Sequence, residues 1–510
     1  MKKPAQMIIG CVYLFFSLCS GVLAETYRVD TVDPATLELP TVQLPDISQY
    51  TPAVVKKMLA DARNDKPGKV EKKLVRGLVE MRALYSGEGL LNMGLMQKNL
   101  PSALVIEQGV MTLQQISRAY PKQLVAIGEK EYLAKLPIVV AINATLIMED
   151  SVLKLSEEKG AIFVNGGRFF LQGGALLGWR ESAGTPAHYT GDKKKFRPYY
   201  VAWGGSKTYF SETRVAYLGY FGAKTYGVTL ASYQVKASEE IFQREDFDFS
   251  ESPEGWLINS TFSDIFYGFY CFEAKGIAIV NNTYSDNIVY GIDPHDRSSG
   301  LIIAKNHVYG TKKKHGIIMS REVNDSFIFD NESHDNKLSG IMLDRTCIGN
   351  QLVRNKVYNN GSDGITLYES GDNLISENTI YTNGAHGIRL RNSDNITMTK
   401  NLILNNKAFG IYLHTKDLLA QGQQRDLEKD PYQQEVSGIL AEGAIVQNGS
   451  GSIFIEHASR FNLYNVLFDG NGGSKDQLKF GGDLARHHNE VVRSLWGKKG
   501  VASLVRKREP

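Results

Sequence analysis

Apolar and polar residues follow a repeating pattern through the middle of the chain. A glycine followed by an apolar residue recurs at spacings of 23 to 25 residues, at Gly268, Gly291, Gly316, Gly340, Gly364, Gly387 and Gly410. An asparagine column keeps step with it, at Asn282, Asn306, Asn331, Asn355, Asn378 and Asn401. Each repeat holds two or three short runs with period-two apolarity and no run of helical length. The pattern therefore predicts an all-β fold, a single-stranded parallel β-helix with one coil per repeat.

The position of a residue after each glycine predicts the direction of its side chain. The first residue is Phe269 or an isoleucine and the third is apolar in every repeat, so both should point into the coil. The second and fourth residues should then point outward, in columns that repeat about every 4.8 Å along the stack. The asparagine column is expected inside, as a ladder at one turn.

The segments on either side of these regular repeats read differently. Residues 52–83 and 111–131 are rich in Lys, Glu, Ala and Leu, which predicts helices. Residues 25–135 are therefore expected to form a mostly helical extension, and residues 136–475 the β-helix, with regular coils over 268–415. The basic segment 476–510 is expected to be a cap on the last coil or a solvated end.

The first residues have the layout of a secretory signal peptide. Lys2 and Lys3 precede an apolar run over residues 7–18, and small residues at 22–24 suit cleavage before Glu25. The alternative is a membrane anchor, for which the run is short. Residues 1–24 are expected to be removed on export to the periplasm, and the mature chain is expected to have no membrane span.

Net charge limits the partners of the mature chain. Loss of two lysines and no acid takes the formal charge from +3 to +1, so a polyanion would be attracted only by a local patch. No nucleic-acid partner is expected. Of the four cysteines, Cys271 and Cys347 remain after cleavage, and whether they pair is left open.

The outward columns collect ionisable residues on one face of the predicted helix. Asp293, His295 and Asp296 lie on one coil, with Pro294 at a strand position where later coils have Met or Leu. Proline removes a ladder donor, and local rules tend to be broken at functional sites. Further charged or aromatic residues extend the column or flank it, at Tyr290, Lys314, Arg321, Asp344, Arg345, Tyr368, Arg389 and Arg391. A long charged groove of this kind suits a linear polyanion.

With these residues, the chain resembles the periplasmic mannuronan C5-epimerases of bacterial alginate biosynthesis. The resemblance rests on residues 290–296 (YGIDPHD), on residues 315–321 (HGIIMSR) and on repeats that continue to about residue 471. It implies a right-handed β-helix and conversion of β-D-mannuronate to α-L-guluronate in polymannuronate during export. It also implies that His295 is the proton acceptor and that Arg321 neutralises the substrate carboxylate.

The chemistry of C5 epimerisation fits these residue types. Removal of a proton next to a carboxylate builds up charge that a guanidinium can hold, and an imidazole can take the proton. Asp293 or Asp296 would orient the imidazole. The second proton donor is left open among water, Tyr290 and another groove residue. The scheme requires no cofactor and no metal, and other periplasmic alginate proteins are possible partners.

Three other functions are compatible with the same residues. A β-helical polyuronate lyase would begin with the same proton abstraction and then expel the C4 oxygen. A glycosidase would use two of Asp293, Asp296 and Asp344, but it would leave Arg321 without a role. A periplasmic scaffold would guide the polymer without chemistry.

Overall fold

The computed structural model describes residues 27–84, 88–233, 249–419, 427–428, 430–473 and 477–507. The predicted signal peptide lies outside these residues. Within them, no helix combines the length and the apolarity that crossing a bilayer would require.

Most strands stack in three parallel columns, here called the first, second and third faces, which succeed one another within each coil. The first face, which carries the repeated glycines, consists of the strands Phe163–Asn165, Tyr200–Trp203, Gly227–Ala231, Tyr267–Phe272, Tyr290–His295, Ile317–Ser320, Ile341–Asp344, Ile365–Tyr368, Ile388–Arg391, Phe409–His414 and Gly451–Glu456. The second face consists of Arg168–Gln172, Lys207–Ser211, Glu254–Ile258, Ala278–Val280, Ile302–Ala304, Phe327–Phe329, Gln351–Val353, Leu374–Ser376, Ile396–Thr399, Ser437–Ala441 and Arg460–Tyr464. The third face consists of Glu131–Ala134, Val152–Ser156, Ala175–Arg180, Arg214–Ala216, Thr261–Ser263, Thr283–Ser285, His307–Tyr309, Glu332–His334, Lys356–Tyr358, Thr379–Tyr381, Leu402–Leu404, Ala444–Val446 and Leu467–Asp469. The predicted parallel β-helix is confirmed.

One continuous apolar core runs through the coils. Ile292, Ile317 and Ile341 point inward, as do Met319 and Leu343, in agreement with the predicted inward positions. Close stacking explains the repeated glycine. A Cβ on Gly291 would lie 2.6 Å from the carbonyl oxygen of Gly316 on the next coil. Cys271 and Cys347 are both buried in this core as free thiols.

The predicted asparagine ladder lies inside, at the turn between the second and third faces. Asn331 illustrates it: its backbone N–H donates to Asn355 Oδ1 at 3.1 Å, and its side-chain amide donates to the carbonyl of Ile303 at 2.8 Å. A second ladder, at the turn after the third face, was not predicted. It includes Asn336, Asn360, Asn383, Asn406, Asn448 and Asn471. Both ladders satisfy backbone groups that the turns would otherwise leave buried without partners.

The N-terminal extension contains less helix than predicted. Its helices are Pro52–Ala62, Val79–Arg82, Glu88–Gln97 and Leu113–Ala119, with short 3₁₀ turns at Pro34–Thr36 and Val75–Gly77. Strands occupy the rest, at Tyr27–Val32, Lys69–Leu74, Ser102–Thr112 and Leu124–Gly128.

Parallel pairing extends to the N-terminal side of residue 136, the predicted start of the β-helix. Ser102–Thr112 already pairs in parallel with Ile138–Glu149, so coiling begins with that earlier strand. Lys69–Leu74 pairs antiparallel with Ser102–Thr112. Lys and Glu favour a helix locally, but pairing with a buried strand overrides that preference.

The extension covers two faces and leaves part of the first face open. Residues of Pro52–Ala62, such as Val55 and Leu59, pack on the second face. Met81 and Met93 pack on the early strands of the first face, against Val139 and Trp203. The first face is therefore covered at its N-terminal end, ahead of the coils that carry the predicted site.

The C-terminal segment caps the last coil. Its helices are Gly482–Arg486 and His488–Val492, followed by a π turn at Arg493–Gly497, and a 3₁₀ turn lies at Asn471–Gly473. Leu484 and Val491 join the core. The last strand, Val501–Arg506, pairs antiparallel with both Arg460–Tyr464 and the first strand, Tyr27–Val32.

A short strand, Thr185–Pro186, pairs antiparallel with Ala175–Arg180 on the third face.

Candidate active site

The predicted site lies where strands of the first face end. Asp296, Arg321 and Arg345 occupy the same position on three successive coils, and each adopts a left-handed backbone with φ of 36°, 59° and 66°. The equivalent residues Glu273, Glu369 and Asn392 are left-handed too, so this conformation belongs to the coil turn and is shared by coils outside the site. Pro294 interrupts the ladder as expected. Tyr290–His295 pairs with Ile317–Ser320 at two positions, where Ile292 lies opposite Ile317 and His295 lies opposite Ser320. The two positions between them, which include Pro294, are not paired.

His295 and Asp296 form a close imidazole–carboxylate pair. Nδ1 of His295 lies 2.5 Å from Oδ2 of Asp296, and both side chains are mostly buried. Burial opposes a charged imidazole, but the hydrogen bond to Asp296 and the charges of Asp293 and Asp296 outweigh it, so the pKa of His295 is raised. Because Asp296 takes Nδ1–H, the Nε2 lone pair of the neutral ring is available as a base.

Asp293 points outward, as predicted, but it is covered and isolated. It is 1% exposed, and neither carboxyl oxygen has a hydrogen-bond partner within the described chain. Burial raises its pKa to about 7, with the nearby charges of His295 and Asp296 acting in opposite directions. Of the two aspartates considered for orienting the imidazole, the structure pairs Asp296 with it and not Asp293.

Arg321 and Arg345 converge on a third carboxylate that the sequence did not reveal. Arg321 Nη2 lies 3.0 Å from Asp430 Oδ2, and Arg345 Nη1 lies 3.5 Å from the same oxygen. Arg321 Nη1 also lies 3.8 Å from Asp296 Oδ1. We call the guanidinium groups of Arg321 and Arg345 the carboxylate clamp. Asp430 belongs to a polar segment, residues 416–436, that interrupts the repeat, so no column pattern marks it.

The predicted residues farther along the groove form an ordered charged surface. Asp344 pairs with Arg345 at 3.3 Å. Arg391 binds Glu369 through two nitrogens, at 2.8 and 3.0 Å, and its guanidinium lies 3.6 Å from the ring centre of Tyr368. Arg389 Nε donates to Nε2 of His414 at 3.2 Å. Burial, followed by the charge of Arg389, lowers the pKa of His414 to about 3, so it is a neutral acceptor.

Tyr290 and Lys314 lie together at the opposite edge of the groove strands. Lys314 Nζ donates to Tyr290 Oη at 3.1 Å, which leaves the phenolic hydrogen for another acceptor. The Tyr290 ring stacks on His315, whose pKa is lowered to about 4 by burial and by the charge of Lys314.

An aromatic wall beside His295 was also missed by the sequence reasoning. Tyr226 and Tyr267 stack, Tyr270 packs against both at an inclined angle, and the Tyr270 ring lies 5.7 Å from the His295 ring. Lys224 lies over Phe272 in the same wall, and burial lowers its pKa to about 7. The irregular coil that carries Tyr226 and Lys224 precedes the register of the repeat, which gave no signal for it.

A base placed beside two carboxylate-binding guanidinium groups is equipped to abstract a proton next to a carboxylate. An open groove along a β-helix accommodates a long chain rather than a small molecule. The fold and the site therefore define the class of β-helical enzymes that act on acidic polysaccharides.

Comparisons with known proteins give the particular family. The chain is 42% identical over 448 residues to a mannuronan C5-epimerase of Pseudomonas syringae pv. tomato, covering 87% of this chain and 81% of that protein. It is 44% identical over 447 residues to the mannuronan C5-epimerase AlgG of Azotobacter vinelandii, covering 87% and 82%. The chain belongs to the mannuronan C5-epimerase family. The predicted family and enzyme class are confirmed.

Structural comparison agrees with the sequence comparison. The crystal structure of the periplasmic alginate epimerase AlgG superposes with a TM-score of 0.79 at 41% identity, covering 84% of this chain and 99% of that one. Residues 210–407 also match a family model described as periplasmic copper-binding protein (NosD). That match covers most of the regular coils.

Proposed function

We propose that this protein converts β-D-mannuronate to α-L-guluronate at C5 within polymannuronate, with His295 as the proton acceptor. The observation that carries the proposal is the His295–Asp296 pair beside the carboxylate clamp. Membership of the mannuronan C5-epimerase family supports it.

The base acts through Nε2 of His295. Asp296 accepts Nδ1–H at 2.5 Å, which fixes the tautomer and stabilises the imidazolium that forms when C5 loses its proton. Asp293 is buried beside the pair, and burial raises its pKa to about 7, so its charge changes near neutral pH. Its role is to tune the electrostatics of the pair, since it does not hydrogen-bond the ring.

The clamp holds the uronate carboxylate while charge accumulates. Asp430 supports this role because its carboxylate lies between Arg321 and Arg345, where two guanidinium groups donate to one anionic oxygen. A substrate carboxylate binds to the same two groups by sharing or displacing that contact. Arg321 is 38% exposed and therefore reachable from the groove.

The second proton must reach C5 from the opposite side of the sugar ring. Tyr290 is the protein group that we assign to this step, with water as the alternative. The contact from Lys314 to Tyr290 Oη favours the phenolate that is left after donation, and it acts against the burial and the Asp293 charge that raise the pKa of Tyr290.

The rest of the groove binds the polymer. Asp344, Tyr368, Arg389 and Arg391 follow the first face beyond the clamp, so that successive uronates meet successive coils. The proposed location is the periplasm, after removal of residues 1–24, with polymannuronate as the partner and export proteins as further candidates.

The test is incubation of the mature protein with polymannuronate in D₂O, followed by proton NMR. Guluronate signals with deuterium at C5 are expected, whereas unsaturated chain ends would mean lyase chemistry. His295→Ala should lower turnover by about 10²- to 10⁴-fold, as loss of a general base does. His487→Ala is the matched control, because His487 forms a similar imidazole–carboxylate pair with Glu490 in the C-terminal cap. Turnover of His295→Ala above a tenth of wild type would assign the base to another residue.

A further inference from the structure

Two histidines and a glutamate meet on the third face, outside the groove strands. His307 lies in His307–Tyr309, and Glu332 and His334 lie in the neighbouring strand of the next coil. Nε2 of His307 is 2.6 Å from Nε2 of His334. One atom from each of the three side chains lies within 4.8 Å of the others, and all three are partly exposed.

Asp335 sets the tautomer of His334. Nδ1 of His334 lies 2.6 Å from Oδ2 of Asp335, and an ionised carboxylate can only accept, so Nδ1 carries the hydrogen. Nε2 of His334 then presents its lone pair toward His307. Histidines that bind metals almost always donate their other ring N–H to a carboxylate or a similar acceptor in this way.

The neighbouring aromatic residues hold the cluster in place. His334 stacks between Tyr309 and Tyr358, with ring centres 5.2 and 4.6 Å away. Tyr358 Oη donates to Oε1 of Glu332 at 2.7 Å, and Lys356 Nζ donates to the same oxygen at 3.2 Å. Because both contacts use Oε1, Oε2 of Glu332 stays available as a ligand atom.

We propose that His307, Glu332 and His334 bind one divalent transition-metal ion of the zinc class, with water completing the coordination. Two imidazoles and a carboxylate suit Zn²⁺, Ni²⁺ and Cu²⁺ better than Ca²⁺ or Mg²⁺. Ligands at about 2.0–2.2 Å from zinc in a tetrahedral site are about 3.3 Å apart, so the imidazoles need to separate by less than ~1 Å.

The site joins two coils rather than serving the groove. His307 comes from one coil and the other two ligands from the next, and their strands belong to a different sheet from Tyr290–His295. An ion bound there would connect the two coils and raise the stability of the fold, while C5 epimerisation in the groove would stay unchanged. Glu332 and His334 follow His307 by 25 and 27 positions, so no sequence spacing typical of zinc sites reveals the three together.

The test is calorimetric titration of the EDTA-treated mature protein with ZnCl₂, together with its melting temperature with and without zinc. We expect one zinc ion per chain, a higher melting temperature with zinc, and X-ray absorption showing two imidazoles. His307→Gln and His334→Gln should abolish both effects, and Asp335→Asn should weaken binding by about 10- to 100-fold. His188→Gln is the matched control, because His188 also pairs with an aspartate, Asp264 at 2.8 Å, and belongs to no cluster of metal-ligand groups among the described residues.

Either of two results would overturn the proposal. The first is that the wild-type protein binds none of Zn²⁺, Ni²⁺ and Cu²⁺ stoichiometrically. The second is that both histidine variants bind zinc as wild type does. The pair would then be an imidazole–imidazole hydrogen bond alone. If a variant fails to fold, absorption spectra of the wild-type protein still decide whether imidazoles surround the ion. Epimerisation by the stripped protein is measured separately, so failure here is distinct from failure of the proposed function.

Discussion

Replacing Arg321 with lysine tests the carboxylate clamp while keeping its charge. The guanidinium reaches two carboxylates through separate nitrogens, Asp430 at 3.0 Å and Asp296 at 3.8 Å, and a single ammonium cannot reproduce that two-point geometry. A donor aimed at developing charge is worth about 2.7–4 kcal/mol, which is a loss of about 10²- to 10³-fold in turnover. We therefore expect kcat to fall by this factor.

Stability should change far less than turnover. The Arg321 side chain is 38% exposed, so solvent screening limits its ion pairs to about 1 kcal/mol or less. Affinity for long polymer should also change little, because Arg345, Arg389 and Arg391 also contact the chain under the proposed function.

The assay compares kcat from guluronate formation by NMR, polymer affinity and melting temperature on one preparation. Arg354→Lys is the matched control. Arg354 binds Asp330 through two nitrogens, at 2.8 and 2.9 Å, and is similarly exposed, but it follows a strand of the second face. The reasoning is refuted if Arg321→Lys keeps more than a tenth of wild-type kcat. It is also refuted if kcat falls only in proportion to the unfolded fraction.

Three further changes test other parts of the structure. Asp296→Asn removes the negative charge that helps to raise the pKa of His295, so the acidic limb of the kcat/KM profile should move to lower pH. An unmoved limb in a folded variant would contradict the assigned pair. Asp430→Asn removes a carboxylate that competes with substrate for the carboxylate clamp. Because such an ion pair is worth about 0.5–1 kcal/mol, polymer should bind about two- to fivefold more tightly. Weaker binding would mean that Asp430 instead positions the arginines. Asn355→Ala leaves buried ladder groups without partners, including the carbonyl of Ile328. The free energy of unfolding, measured by denaturant titration, should fall by at least about 1–3 kcal/mol. An unchanged midpoint would mean that water replaces the ladder.

The repeat made most of the fold predictable. Because the side-chain period of a strand is two, the positions after Gly291 and Gly316 were enough to separate core from groove. The register of the asparagines likewise placed the ladder containing Asn331 inside. These features depend on contacts with the next coil. The residues of the next coil can be read from the sequence, because they follow at the repeat spacing of 23 to 25 residues.

Features without a fixed offset were not predictable. Lys69–Leu74 has helical composition and becomes a strand only because Ser102–Thr112 offers an edge to it. Asp430 reaches Arg321 from an excursion outside the repeat, and Lys224 reaches Phe272 from an irregular coil. In each case a tertiary contact decides the outcome, and local residue preferences carry no information about that contact.

The antiparallel pairing of Tyr27–Val32 with Val501–Arg506 has a consequence for biogenesis. Tyr27–Val32 finds its partner only after the intervening residues 33–500 have been made, because the contact has a very high sequence separation. Coils can form in order behind it, but the open edge of Arg460–Tyr464 stays a template for other strands until Val501–Arg506 covers it. A polypeptide that lacks Val501–Arg506 therefore leaves unpaired backbone donors and acceptors on both Tyr27–Val32 and Arg460–Tyr464. Those exposed edges distinguish an incomplete molecule from one that contains the strand.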